Sequence, residues 1–155
     1  MTRTVARELA IQLCFAAAAS GREPDELADE FFSAEHFETL SEEGELYAEL
    51  PDQRQMAYIR QLTAKIAEKR PELDEIIERY AKDWRVDRLS RTALAVLRCA
   101  VCEILYLDDV PTGAAINEAV ELDKKYDEPE TVAFVNGVLG AFARDLARES
   151  ADGEA

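Results

Sequence analysis

The sequence predicts an all-α fold, and three observations carry the prediction. Long runs are rich in Ala, Leu, Glu, Arg and Lys with few β-branched clusters, which favours helix over strand. Apolar residues recur at spacings of three and four. Prolines 24, 51, 71, 111 and 129 stand where helices begin.

The elements follow in order. Val5, Leu9, Gln12/Leu13 and Ala16 share one helical face, so a first helix spans residues 4–20 and stops at Gly21. Pro24 opens a short acidic helix bearing Leu27, Phe31 and Phe32. The stretch "SEEGELYAELP" reads as a loop or poor helix, its carboxylates a solvated face rather than a metal site. A helix from Pro51-Asp52, with Met56, Ile59, Leu62/Thr63 and Ile66 inward, stops at Lys69-Arg70, and Pro71 starts the next, with Leu73, Ile76, Ile77 and Tyr80 inward. Trp84 follows in the tight connection "KDWRVDRLS". Ser90 caps the most apolar helix, residues 91–107. There Leu94, Leu97, Val101, Ile104 and Leu105 cover one side and Ala93, Val96, Cys99 and Ala100 widen it, so this helix belongs at the centre. Pro111 and Pro129 begin two more. The expectation is about seven helices, in a single domain over residues 1–149 with a disordered tail at 150–155.

The last helix carries Val132, Val135, Leu139, Phe142 and Leu146 as its inward stripe, with Asn136-Gly137 beside it. A glycine inside a helix costs about 1 kcal/mol against alanine. The expected compensation is close helix approach at Gly137, with Asn136 spending its amide on a loop carbonyl or on Asn117, so that the pair locks two helices together.

Composition bounds function. The 155 residues carry a net charge of −15, which argues against general nucleic-acid binding. The charge is uneven, however: residues 21–52 hold 12 acids and one base, Arg22, whereas residues 53–103 hold 11 bases and 8 acids. A local basic surface is compatible with that distribution. Cys14, Cys99 and Cys102 lie in apolar segments and read as buried thiols of a reducing compartment, "CAVC" as packing rather than a redox or metal pair. With His36 the only histidine, neither a zinc site nor a histidine-based triad is expected. Glu118 and Glu121 are read as helix-start and ion-pair residues, Glu118 being the acid expected to pair with Arg98. The apolar run 9–19 is too short for a membrane span, which points to a cytoplasmic protein.

"WRVDRLSRTALAVLRCAVCEIL", then "PTGAAINEAVELDKKY", then "FVNGVLGAF" resemble, in that order, the NusB family of transcription antitermination factors, whose pattern includes "INEAVELAK.Y" and "FVNGVL". The match covers residues 84–142 strongly and "ARELAIQLCF" weakly, and residues 21–60 match little. The resemblance implies an all-helical fold of two small bundles, no enzymatic activity and no cofactor or metal. It implies binding of boxA-type single-stranded leader RNA together with NusE, a small-ribosomal-subunit protein, within an RNA polymerase antitermination complex. Carried onto this sequence, the RNA-binding candidates are Arg3, Arg7, Lys124 and Phe134, and the NusE-facing candidates are Phe15, Thr92 and Glu103.

This sequence departs from the family at its start, where Thr2, Thr4 and Val5 replace an arginine cluster. Arg3 and Arg7 share one helix face and are expected to grip adjacent phosphates. Phe134 lies between stripe positions, so base stacking and core placement both stand open. Two alternatives remain: a protein-interaction module with weakened RNA binding, and a detached NusB-like domain of an rRNA cytosine methyltransferase.

Overall fold

The computed structural model describes residues 2–40, 44, 49–81 and 89–154. Most of "SEEGELYAELP" and the Trp84 connection lie outside them. The chain divides into two compact units, residues 1–68 and 69–155. Among the described residues there are seven helices, the expected number in a different partition.

In the first unit α1 (Arg3–Ser20) is capped by Thr2, whose hydroxyl accepts from the Val5 N–H at 3.2 Å. It ends at Gly21, whose φ of 71° is the left-handed conformation that glycine adopts without strain. Ala6, Leu9, Ala10 and Leu13 are fully buried, making α1 this unit's core helix. α2 (Pro24–Phe31) packs on it. A further short helix, α3 (Ala34–Thr39), is capped by Ser33. It gathers Phe31, Phe32 and Phe37 into one aromatic cluster with centroids 5.0 to 6.3 Å apart.

The main correction concerns α4 (Gln53–Tyr80), one helix of 28 residues running through Pro71, where a break had been expected. Proline removes one backbone donor and crowds the preceding turn, at a cost of about 3 kcal/mol. Burial on both sides of the proline opposes that cost: Ile59, Leu62 and Ile66 precede it, Leu73 and Ile77 follow, and all five are buried.

In the second unit α5 (Arg91–Tyr106), α6 (Thr112–Asp123) and α7 (Pro129–Glu154) pack mutually. Ser90 caps α5 as expected, accepting from the Ala93 N–H at 3.0 Å. Val96, Leu97, Cys99, Ala100, Val101 and Cys102 are buried, and Leu94, Ile104 and Leu105 only half so, which shifts the inward arc toward the small side chains. The last half of α4 is tied in by side chains. Arg98 forks onto Asp74 with Nε–Oδ1 2.6 Å and Nη2–Oδ2 3.0 Å, and Tyr80 donates to Asp145 at 2.8 Å while its ring meets Phe142 edge-on. The partner of Arg98 is thus Asp74 on α4 rather than Glu118, because the two helices bring these planar groups face to face.

Helix α7 runs on to Glu154, so the backbone of 150–154 is helical where a disordered tail had been expected. Its inward stripe matches expectation at Val132, Val135, Leu139 and Phe142, with Leu146 half-buried. Asn136 and Gly137 do not: both are exposed, and a Cβ added at Gly137 meets nothing within 4 Å. They lock no helices together, since their positions fall on the flank facing away from the stripe. Gly137→Ala is therefore expected to stabilise the protein by about 0.5–1 kcal/mol, read as a higher urea midpoint, because it removes chain entropy without a clash.

Candidate nucleic-acid interface

In the second unit the turn joining α6 to α7 is held by its own backbone. Lys125 N–H reaches the Leu122 carbonyl at 3.1 Å, and Tyr126 and Asp127 N–H reach the Asp123 carbonyl at 3.0 and 2.9 Å. This closed turn presents Lys124, Lys125 and Tyr126, all exposed. Lys124 pairs with Glu121 at 2.7 Å, a solvent-facing i,i+3 contact of the kind that stabilises little. Tyr126 keeps 47% of its surface in water. On α7, Phe134 is half-buried, one turn before exposed Gly137. Two lysines before an exposed aromatic in a tight turn is the signal in "DKKYDE" that motif position alone, which points to Lys124, does not reveal.

The same turn hides a carboxylate. Asp123 is wholly buried, its carboxyl group beside that of Asp127. Burial, and then the neighbouring Asp127, push its pKa up to about 7. Asp127 in turn accepts from the Ser90 hydroxyl at 3.0 Å, the group that caps α5.

In the first unit the two arginine candidates separate. Arg3 is half-buried with its guanidinium 4.1 Å from the centroid of Tyr58. Arg7 keeps only 4% of its surface exposed and lies 5.9 Å from the same ring. The expected grip of both on adjacent phosphates is corrected: residues 6–11 of α1 are all buried, and Arg7 goes inward with them.

The NusE-facing candidates divide similarly. Phe15 and Thr92 are half-buried. Glu103 has no exposed surface and accepts from the Cys99 thiol at 3.3 Å, so it faces the core rather than a partner. The residues assigned a structural role also sit farther out than expected: Asn117 is exposed, Glu118 half-buried, and among the described residues no hydrogen bond joins Asn117 to Asn136. Nor, among those residues, does any cluster of His, Cys, Asp and Glu suit a metal ion, and no helix is long and apolar enough to cross a membrane.

The helices fill their own cores, and the α6–α7 turn of this protein bears lysines and an exposed aromatic. The relatives identify its class. Residues 4–144 match the NusB family, and the chain belongs to it. It is 34% identical over 146 residues to the transcription antitermination protein NusB of Natranaerobius thermophilus, covering 94% of this chain and 97% of that protein. Two solved structures superpose well. NusB of T. maritima does so with a TM-score of 0.75 at 26% identity, covering 93% and 92% of the two chains. A chain of the complex of antitermination factors NusB and NusE with double-stranded RNA gives 0.69 at 26% identity, covering 92% and 96%.

Proposed function

We propose that this chain is a non-enzymatic antitermination factor of the cytoplasm that binds boxA-type leader RNA together with NusE. The observation that carries the RNA reading is the α6–α7 turn, where exposed Lys124 and Lys125 precede an aromatic ring that is nearly half exposed. Cations there neutralise phosphates and the Tyr126 ring offers a stacking face, with Phe134 and the bare backbone of Gly137 on the adjacent helix. The solved relative that holds NusE and RNA supports the choice of partners. The curated relatives, named transcription antitermination proteins, favour this reading.

The experiment is a titration of the protein, with and without NusE, against a boxA-type strand, a scrambled strand and the corresponding duplex at two salt concentrations. Tyr126→Ala is expected to weaken binding of the single strand about 5- to 150-fold, the equivalent of one lost stack. Lys124→Ala is expected to flatten the salt dependence by about 0.7 in the logarithmic slope. Equal affinity for all three nucleic acids in the presence of NusE defeats the proposal. The burial of Arg7 favours a second reading, an interaction module with weakened RNA contact, and undiminished NusE binding without any RNA preference is its signature.

A further inference from the structure

Helix α7 buries its stripe on one side only. At 100° per residue, buried Val135, Leu139 and Phe142 lie about 140–160° around the axis from exposed Gly137, which therefore marks the outward face. Ala133, Phe134, Gly140 and Ala141 fall within about 60° of Gly137, and Arg144 within about 20°. Beyond Phe134 that face is backbone and methyl groups until Arg144 is reached. A Cβ added at Gly137 would meet nothing within 4 Å, and one added at Gly140 would meet the Arg144 Nη1 at 3.4 Å. The guanidinium is thus folded back over bare backbone toward the α6–α7 turn, in the direction that helical side chains lean.

The charge of Arg144 is left over. The residue is exposed and makes no hydrogen bond or ion pair among the described residues. Its own helix holds no acid within reach, since the positions three and four away on either side are Gly140, Ala141, Ala147 and Arg148. Asp145, next in sequence, lies about 100° around the axis and is engaged there. It accepts from the Tyr80 hydroxyl at 2.8 Å and faces the Arg148 Nη1 at 3.7 Å. Glu130, the acid at the start of the outward face, is about 21 Å away along the axis, beyond the screening length of about 8 Å at physiological salt. In a chain of net charge −15, such an uncompensated cation is open to an anionic partner.

We propose that Arg144 contacts a phosphate of the RNA, holding the strand where it leaves the α6–α7 turn and runs over the outward face of α7. The inference rests on the RNA-binding reading above and adds to it a cation two turns past Gly137. Pro129 to Arg144 spans about 22 Å, the rise of about six or seven stacked nucleotides. Between them Ala133, Gly137, Gly140 and Ala141 present nothing larger than a methyl group, so the strand can lie close to the helix. The ligand group is the phosphodiester, so Arg144 adds affinity and salt dependence and no sequence preference.

The test uses the full chain with NusE at two salt concentrations, against a boxA-type single strand and the same strand lengthened by about seven nucleotides at each end, the span from Pro129 to Arg144. The native chain is expected to bind the lengthened strand severalfold more tightly at low salt. Arg144→Ala is expected to lose that gain and to flatten the logarithmic salt slope on the lengthened strand by about 0.7, while the preference for boxA over a scrambled strand is kept. Arg144→Lys is expected to retain both, and joining Arg144→Ala to Lys124→Ala to flatten the slope by about 1.4, because two separate phosphates are lost. Thermal melting of each variant confirms that the exposed substitution leaves the fold in place. Equal affinity and slope for Arg144→Ala and the native chain on the lengthened strand, or a double variant no flatter than Lys124→Ala alone, overturn this inference and leave the RNA reading at the turn standing. Failure of the native chain to prefer boxA over the scrambled strand overturns both.

Discussion

Asp123→Asn is expected to gain stability over the native chain by about 2–3 kcal/mol as pH is raised from about 5 to about 8. The carboxyl is buried against Asp127, so burial first, then the side-chain interaction with Asp127 and that neighbour's charge, raise its pKa from 3.8 to about 7. Between those two values the folded chain holds a proton that the unfolded chain has released. Stability from this group is therefore fully present below the unfolded value and is lost as pH rises through about 7, after which the curve is flat. Asparagine keeps the shape and cannot ionise, so the variant escapes the loss. Urea unfolding of both proteins at the two pH values reads it directly. Parallel pH profiles would mean that Asp123 is ionised and solvated in the folded protein. The consequence for function is local, since Asp123 anchors the turn that displays Lys124, Lys125 and Tyr126.

Leu139→Ala is the larger loss in the opposite direction, about 2–5 kcal/mol. Leu139 has no exposed surface, on a helix that packs against both α5 and α6. Against a total stability of about 5–15 kcal/mol this is a large share. Gly137→Ala, two residues earlier on the same helix, changes stability with the reverse sign. Paired urea titrations of the two variants therefore test the rotation of α7: a cost below about 1 kcal/mol at Leu139 would place the inward stripe elsewhere.

Much of the fold was legible because it depends on near neighbours. The caps at Ser90 and Gly21, the first helix and the stripe of Val132, Val135, Leu139 and Phe142 follow from local chemistry and helical spacing. Pro71 was misleading, because a proline argues locally for a break and long-range burial of Leu73 and Ile77 outweighs it. Arg98 illustrates the same limit: a charged residue in an apolar helix demands an acid, but only the approach of α4 selects Asp74 over Glu118. For the candidate interface, motif position nominated Lys124 and Phe134, whereas the exposure of Tyr126 was not legible, since exposure depends on neighbours remote in sequence.

By itself the amino-acid order determined that this chain is helical, which residues start and stop most of its helices, and the family to which residues 84–142 point. Those properties come from interactions within a turn or two of backbone. The tertiary structure alone decided that Arg7, Glu103 and Asp123 go inside while Asn136, Gly137 and Tyr126 stay in water. A helical wheel ranks faces by polarity, but which face meets another helix is settled by the total burial of all the helices together, and a few charged residues are carried inward with it.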